Sequence, residues 1–240
     1  MAGSQYVALS GMRTRLEQLD RLAADIANVN TAGYKTERGA DAEANRPQFS
    51  NVLESAIDVT SGSRRLDVSS GVLAPTGRDL DMAIDGQGFF VVETPQGMRY
   101  TRNGHFQRTP DGTLTSEDGA VVQGTNGAMK LGPGEISVDS DGTVKANGVA
   151  AGKLKIVSFD NPSALVAESG AKLRSDSAAP VDVAVPSVRS GSLEQSNVSL
   201  VGRVAELTSV TRSFEALQKA LSLMMNDIDG RAIEQLGRMR

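Results

Sequence analysis

Few residues of this 240-residue chain are of a type that does chemistry. His105 is the only histidine, set between the turn pair Asn103-Gly104 and Phe106. No nucleophile or orienting acid stands beside it, so it reads as hairpin or surface packing and not as a general base. Asp79, Asp81 and Asp85 offer the oxygen donors of a hard-cation site. Their spacing is not that of a calcium loop and no Glu falls at the closing position, which leaves solvated strand ends. A hairpin turn accounts for Asp139 and Asp141 before Gly142. Gly86-Gln87-Gly88 lacks the third glycine and the following helix of a dinucleotide loop. With no Cys in the chain, a thiolate metal site, a disulfide and a Cys nucleophile are all excluded. No catalytic, metal or cofactor residue is assigned, and neither an enzyme nor a small-molecule substrate is expected.

The partners are narrowed by charge and hydropathy. Against 25 Lys and Arg stand 29 Asp and Glu, a net charge of -4, and the basic residues are scattered among acids. Nucleic acid needs a clustered basic surface and is not expected as a partner. Apolar runs such as Phe89 to Val92 are far short of the roughly 20 residues that cross a bilayer, so a soluble chain without direct membrane insertion is expected. Met1 to Leu22 carries polar residues throughout, unlike a secretory signal. Only 3 Tyr, 6 Phe and no Trp accompany 25 Gly, which points to a turn-rich molecule stabilised in part by neighbours.

Elements to position these residues follow from periodicity. Leu9, Met12, Leu16, Leu19, Ala23 and Ile26 are spaced as a narrow apolar seam and predict a helix over 3–28, ending near Asn28 to Gly33 where glycine tolerates positive φ. Leu200, Val204, Leu207, Thr211, Phe214, Gln218, Leu221, Met225 and Ile228 predict a second helix over 199–236. The spacing does not name the partner: a hairpin on the chain's own domain and packing between molecules both satisfy it. Pairing the two seams leaves Val7, Val29, Val201, Val210, Leu217, Leu223 and Met224 uncovered, so the ends are expected to gain order in an assembly.

Between the helices, residues 36–75 read as an irregular connector with a short strand over 69–73. From Leu80 to Val185 the pattern becomes short runs between turn dipeptides: Asn103-Gly104, Asp111-Gly112, Asp118-Gly119, Asn126-Gly127, Asp141-Gly142 and Asn147-Gly148. Strands are predicted over 82–84, 89–94, 98–101, 113–115, 136–138, 143–145 and 154–159. The run Asp111-Gly112-Thr113-Leu114 with Asp118-Gly119 is echoed by Asp141-Gly142-Thr143-Val144 with Asn147-Gly148, as if one hairpin unit were used twice. The fold class is therefore mixed α and β, long terminal helices around a central all-β domain. Its divisions are an N-terminal helix in 1–35, the connector 36–75, a β-rich domain 76–190 and a C-terminal helix in 191–240.

Three motifs carry a resemblance. Ile26-Ala27-Asn28-Val29-Asn30-Thr31-Ala32-Gly33-Tyr34-Lys35 resembles the N-terminal signature of the bacterial flagellar rod and hook proteins. Asp81 to Val92, followed by Tyr100-Thr101-Arg102-Asn103-Gly104, resembles the central motif of the same family, and Gly191-Ser192-Leu193-Glu194-Gln195-Ser196-Asn197-Val198 the segment opening its C-terminal helix. The length and the closing pattern Arg212-Ser213-Phe214-Glu215 through Met224-Met225-Asn226-Asp227 look most like the proximal-rod branch, with the distal rod as nearest rival. Ala24-Asp25 departs from the Asn-Asn of many relatives.

The resemblance implies that the terminal helices pair as a coiled-coil-like inner layer with the β domain outside. It also implies a torque-transmitting shaft across the periplasm, built as a helical array with other flagellar rod proteins and copies of the chain. The implied location is the flagellar basal body, reached through the flagellum's own type III apparatus. Helix packing is then expected from Leu9, Met12, Leu16, Leu19 and Ile26 with Leu207, Phe214, Leu221, Met225 and Ile228, and the turn between layers from Asn28, Asn30, Thr31 and Gly33. A rival of another class is an oligomeric surface β module whose helical ends form a trimer.

Overall fold

The computed structural model describes residues 2–39, 64–176 and 178–237. They fall into a helical unit, from both ends of the chain, and a β unit over 28–38 and 64–198. In the helical unit, α1 spans Ala2–Ala27 and α2 spans Leu200–Gly237. The two pack against each other. Leu22 on α1 and Val210 on α2 are buried. Beside them Arg203 Nε lies 2.9 Å from Asp25 Oδ2, and Gln18 Nε2 donates to Glu206 Oε1 at 3.5 Å. Gly11 lies inside α1 with open space where a Cβ would stand. Gly11→Ala is therefore expected to stabilise the helix by about 0.5–1 kcal/mol, read as a higher denaturation midpoint of the helical signal.

The β unit is organised around the strand Phe89–Thr94, flanked by Gly97–Thr101 and Val121–Gly124. The largest sheet continues through Leu114–Ser116 to Phe106–Arg108 on one side, and through Lys172–Arg174 to Val166–Glu168 on the other. Alternate residues of the central strand enter two separate apolar clusters. Phe90 and Val92 join Met82, Phe106, Leu114, Val122 and Val144, while Phe89 and Val91 join Leu66, Tyr100, Val157 and Phe159. Because both faces are covered, the run Phe89-Phe90-Val91-Val92 is apolar at every position instead of alternating. Phe90 meets Phe106 edge-on at 5.2 Å, and Tyr100 meets Phe159 at 4.8 Å.

The hairpin echo appears as repeated geometry. Thr109 N donates to Thr113 O and Gly112 N to Thr109 O; thirty residues on, Asp139 N donates to Thr143 O and Gly142 N to Asp139 O. In each copy the Thr hydroxyl donates to the Asp two residues before it, Thr113 to Asp111 at 2.8 Å and Thr143 to Asp141 at 2.9 Å. Bonds from Thr109 and Thr113 hold the Asp111 carboxyl below its ordinary range, and bonds from Thr143 do the same for Asp141.

Several strands differ from the sequence expectation. The segment read as an irregular connector contains Glu37–Gly39, Arg64–Leu66 and Leu73–Pro75, while its residues 40–63 lie outside the described residues. The short strand expected over 69–73 stands instead at Leu73–Pro75, paired with Ser192–Glu194, a strand preceding α2. Phe106–Arg108, Val121–Gly124, Val166–Glu168, Lys172–Arg174 and Val188–Ser190 were also unmarked by pattern. They are three or four residues long and are fixed by pairing with distant partners, as Val188–Ser190 is by Met82–Ile84.

Candidate functional site

The three sequence motifs, drawn from both ends and the middle of the chain, meet inside the β unit on one carboxylate. Glu194, fully buried, receives Lys35 Nζ on Oε1 at 2.5 Å, the Gly71 amide on Oε1 at 2.9 Å and Arg102 NH1 on Oε2 at 3.0 Å. Lys35 also donates to Ser69 O at 2.7 Å. Arg102 donates onward to Ile84 O and Gly86 O, and its guanidinium lies 5.3 Å from the centroid of Phe89. The side chains of Lys35 and Arg102 are only 1% and 5% exposed, so this is an ionic centre of two cations and one carboxylate removed from water. Burial pushes the Lys35 ammonium below its ordinary range, against the opposing pull of Glu194.

Backbone contacts draw the same segments together. Gly33, at φ +67°, donates its amide to Glu194 O at 2.7 Å. A Cβ on Gly33 would stand 2.2 Å from the backbone of Arg102 and Asn103, so glycine is required here for space as well as for φ. Thr31 N donates to Asn28 O and Tyr34 N to Thr31 O, which turns the chain after α1. The Thr31 hydroxyl meets Asn28 Oδ1 at 3.1 Å. Asn197 closes the other side: its Oδ1 accepts from Thr36 N at 2.9 Å and its Nδ2 donates to Asp67 O at 2.9 Å. The peptide leaving α1 and the peptide entering α2 are thereby fastened to each other. Sequence reading quoted Lys35, Arg102 and Glu194 within its motifs but gave them no role. The available signal was that Lys35 and Glu194 are each the only charged residue of their motif and that Arg102 is the only cation of the central one.

Of the residues singled out for chemistry only His105 and Asp81 meet, which corrects the expectation that no acid stands beside the histidine: the two are brought together by a backbone bridge and not by sequence proximity. Asp81 is buried beneath His105, Nδ1 to Oδ1 2.9 Å, with Arg78 at 3.4 Å, while Asp85 pairs with Arg189 at 2.6 Å. Asp139 pairs with Lys145 at 2.6 Å. Among the described residues no three His, Cys, Asp or Glu side chains come together as metal ligands. No described helix is long and apolar enough to cross a membrane.

The expected helix-packing residues divide. Met12, Leu19, Ile26, Leu207, Phe214 and Leu221 are partly covered, whereas Leu9 and Leu16 are 60% and 48% exposed. Asn30 is exposed in the turn after α1. Met225 and Ile228 lie in the backbone of α2, with side chains outside the described residues, as are those of Val7, Leu223 and Met224. Val210, expected to be left uncovered, is buried. The buried positions of the two helices include Leu22, Asp25 and Val210, and Asp25 is engaged there by Arg203.

The described residues thus comprise two terminal helices packed on each other and a β unit in which segments from both ends and the middle of the chain meet on Glu194. Three family models match in the same order. The one described as flagella basal body rod protein covers residues 6–35, the flagellar hook protein FlgE/F/G D1 domain 83–146, and the flagellar basal body rod FlgEFG protein C-terminal 189–233. The chain belongs to the flagellar basal-body rod protein family. It is similar to the rod protein FlgF of Caulobacter vibrioides, 32% identical over all of both chains, and to FlgF of Rhizobium meliloti, 32% identical over 98% of each. FlgG of Bacillus subtilis is 32% identical over 92% of this chain and 95% of its own.

Proposed function

We propose that the chain is a structural subunit of the flagellar basal-body rod, in its proximal part, stacking helically with copies of itself and other rod proteins to carry motor torque across the periplasm. The full-length similarity to FlgF supports the proximal position, since similarity to FlgG covers slightly less of the chain. In this reading α1 and α2 form a coiled-coil-like inner layer, the residues from Asn28 to Gly33 turn the chain outward, and the β unit stiffens the outside. The subunit reaches its place through the flagellar type III apparatus.

One observation carries the assembly role. Leu9 and Leu16 on α1, and Leu200, Val201 and Val204 on α2, are exposed although the two helices already cover each other in part. Apolar surface of that extent marks an interaction site, and contacts between unlike faces generate an open helical stack. Leu16→Asp and Phe214→Asp test it. At Leu16, 48% exposed, the change is expected to alter subunit stability by no more than about 0.5 kcal/mol. Both variants should abolish swimming and be missing from purified basal bodies. Normal swimming in both would overturn the assignment.

A further inference from the structure

Residues 192–197 are bound along their length, yet almost wholly through polar contacts. Ser192–Glu194 pairs with Leu73–Pro75. Gln195 N donates to Val72 O at 2.9 Å and Asn197 N to Tyr34 O at 3.4 Å. The Glu194 carboxylate and the Asn197 amide make the side-chain bonds to residues 35, 36, 67, 71 and 102 described above. No residue of the segment belongs to either apolar cluster, and Leu193, its one large apolar side chain, is only half-buried. Segments with many polar bonds and little apolar burial open at lower free energy than the core they lie on.

We propose that residues 192–197 are a strap that opens and closes over Lys35 and Arg102 as one cooperative element, independently of the two apolar clusters. Cooperativity follows from the charges. Withdrawing Glu194 leaves two buried cations facing each other with no carboxylate between them, so a partly lifted strap is the least favourable arrangement. The same withdrawal frees the Gly33 amide from Glu194 O and the Gly71 amide from Oε1. Since α1 ends at Ala27 and α2 begins at Leu200, the closed strap keeps the chain leaving one helix beside the chain entering the other, and the open strap lets them part.

Native-state hydrogen exchange on the full chain tests this with Glu194→Gln, which keeps the shape and removes the charge. The amides of Gly33, Thr36, Gly71 and Asn197 should exchange on the order of 100-fold faster, while those of Phe89–Thr94 and Val121–Gly124 stay as in the parent chain. Equal acceleration in both sets, or none in the first, overturns the proposal. Asn197→Ala removes only neutral bonds and decides the matter if the first variant does not fold. It should quicken the same four sites about 10-fold and no core strand; acceleration spread over the core, or absent at the four sites, overturns the strap.

Discussion

Gly104→Ala is expected to destabilise the β unit by about 4 kcal/mol or more, enough to unfold it under mild denaturant. A Cβ at this position would stand 1.6 Å from the carbonyl oxygen of Met82. That oxygen belongs to backbone and cannot turn aside as a side chain can. Met82 N donates to Gly104 O at 3.0 Å, Met82 is fully buried, and its strand is paired on the other side with Val188–Ser190. Relief therefore requires separating two strands or breaking the bridge between Asp81 and His105. Gly119→Ala is the control: its φ is +84° but nothing lies within 4 Å of the added carbon, so the cost is limited to local strain of about 1–2 kcal/mol. Chemical denaturation of both variants, followed by the β signal, checks the order. Equal midpoints would show that the strands at Gly104 yield.

That contrast shows which parts of the molecule were legible in the sequence. Asn103-Gly104 was read as a turn pair on the strength of glycine's freedom at positive φ, and the other pairs behave so: Gly112, Gly119, Gly127, Gly142 and Gly148 all have positive φ. Gly104 does not belong with them; it is glycine because another backbone passes against it, and a close approach between residues 82 and 104 leaves no local pattern. Helices were legible because their period is local, so that α1 and α2 lie within a residue or so of the expected bounds. The strand Phe89–Thr94 was legible because burial on both faces makes its first four residues continuously apolar. Val188–Ser190 and Ser192–Glu194 were not, since what makes them strands is a partner about a hundred residues away. The same limit hid the ionic centre. Lys35, Arg102 and Glu194 each look like solvated charges in their own neighbourhoods, and only the topology that joins both chain ends makes them one site.

The ionic centre also sets an asymmetry between its members. Glu194→Leu is expected to cost about 3–5 kcal/mol, because it strands two buried cations and leaves the Gly71 amide without its acceptor. Lys35→Met is expected to cost no more than about 1 kcal/mol, since the Glu194–Arg102 pair survives it and a desolvated ammonium is removed. The shift at Lys35 gives the reason and its own check. Burial lowers the folded-state pKa below the ordinary 10.5, so the charged form is less favoured in the fold than in the unfolded chain. Between the lowered value and 10.5 the unfolded chain holds more protons than the folded one, and stability contributed by this residue rises with pH across that window. The shifts at Lys172, lowered by burial, and at Tyr100, raised by burial, are common to both chains, so the difference between parent and Lys35→Met isolates Lys35. Denaturation midpoints from pH 7 upward should show the parent gaining on the variant. A difference that fell would mean that the attraction of Glu194 outweighs burial at Lys35, and one that stayed level that the two cancel; either result overturns the expectation.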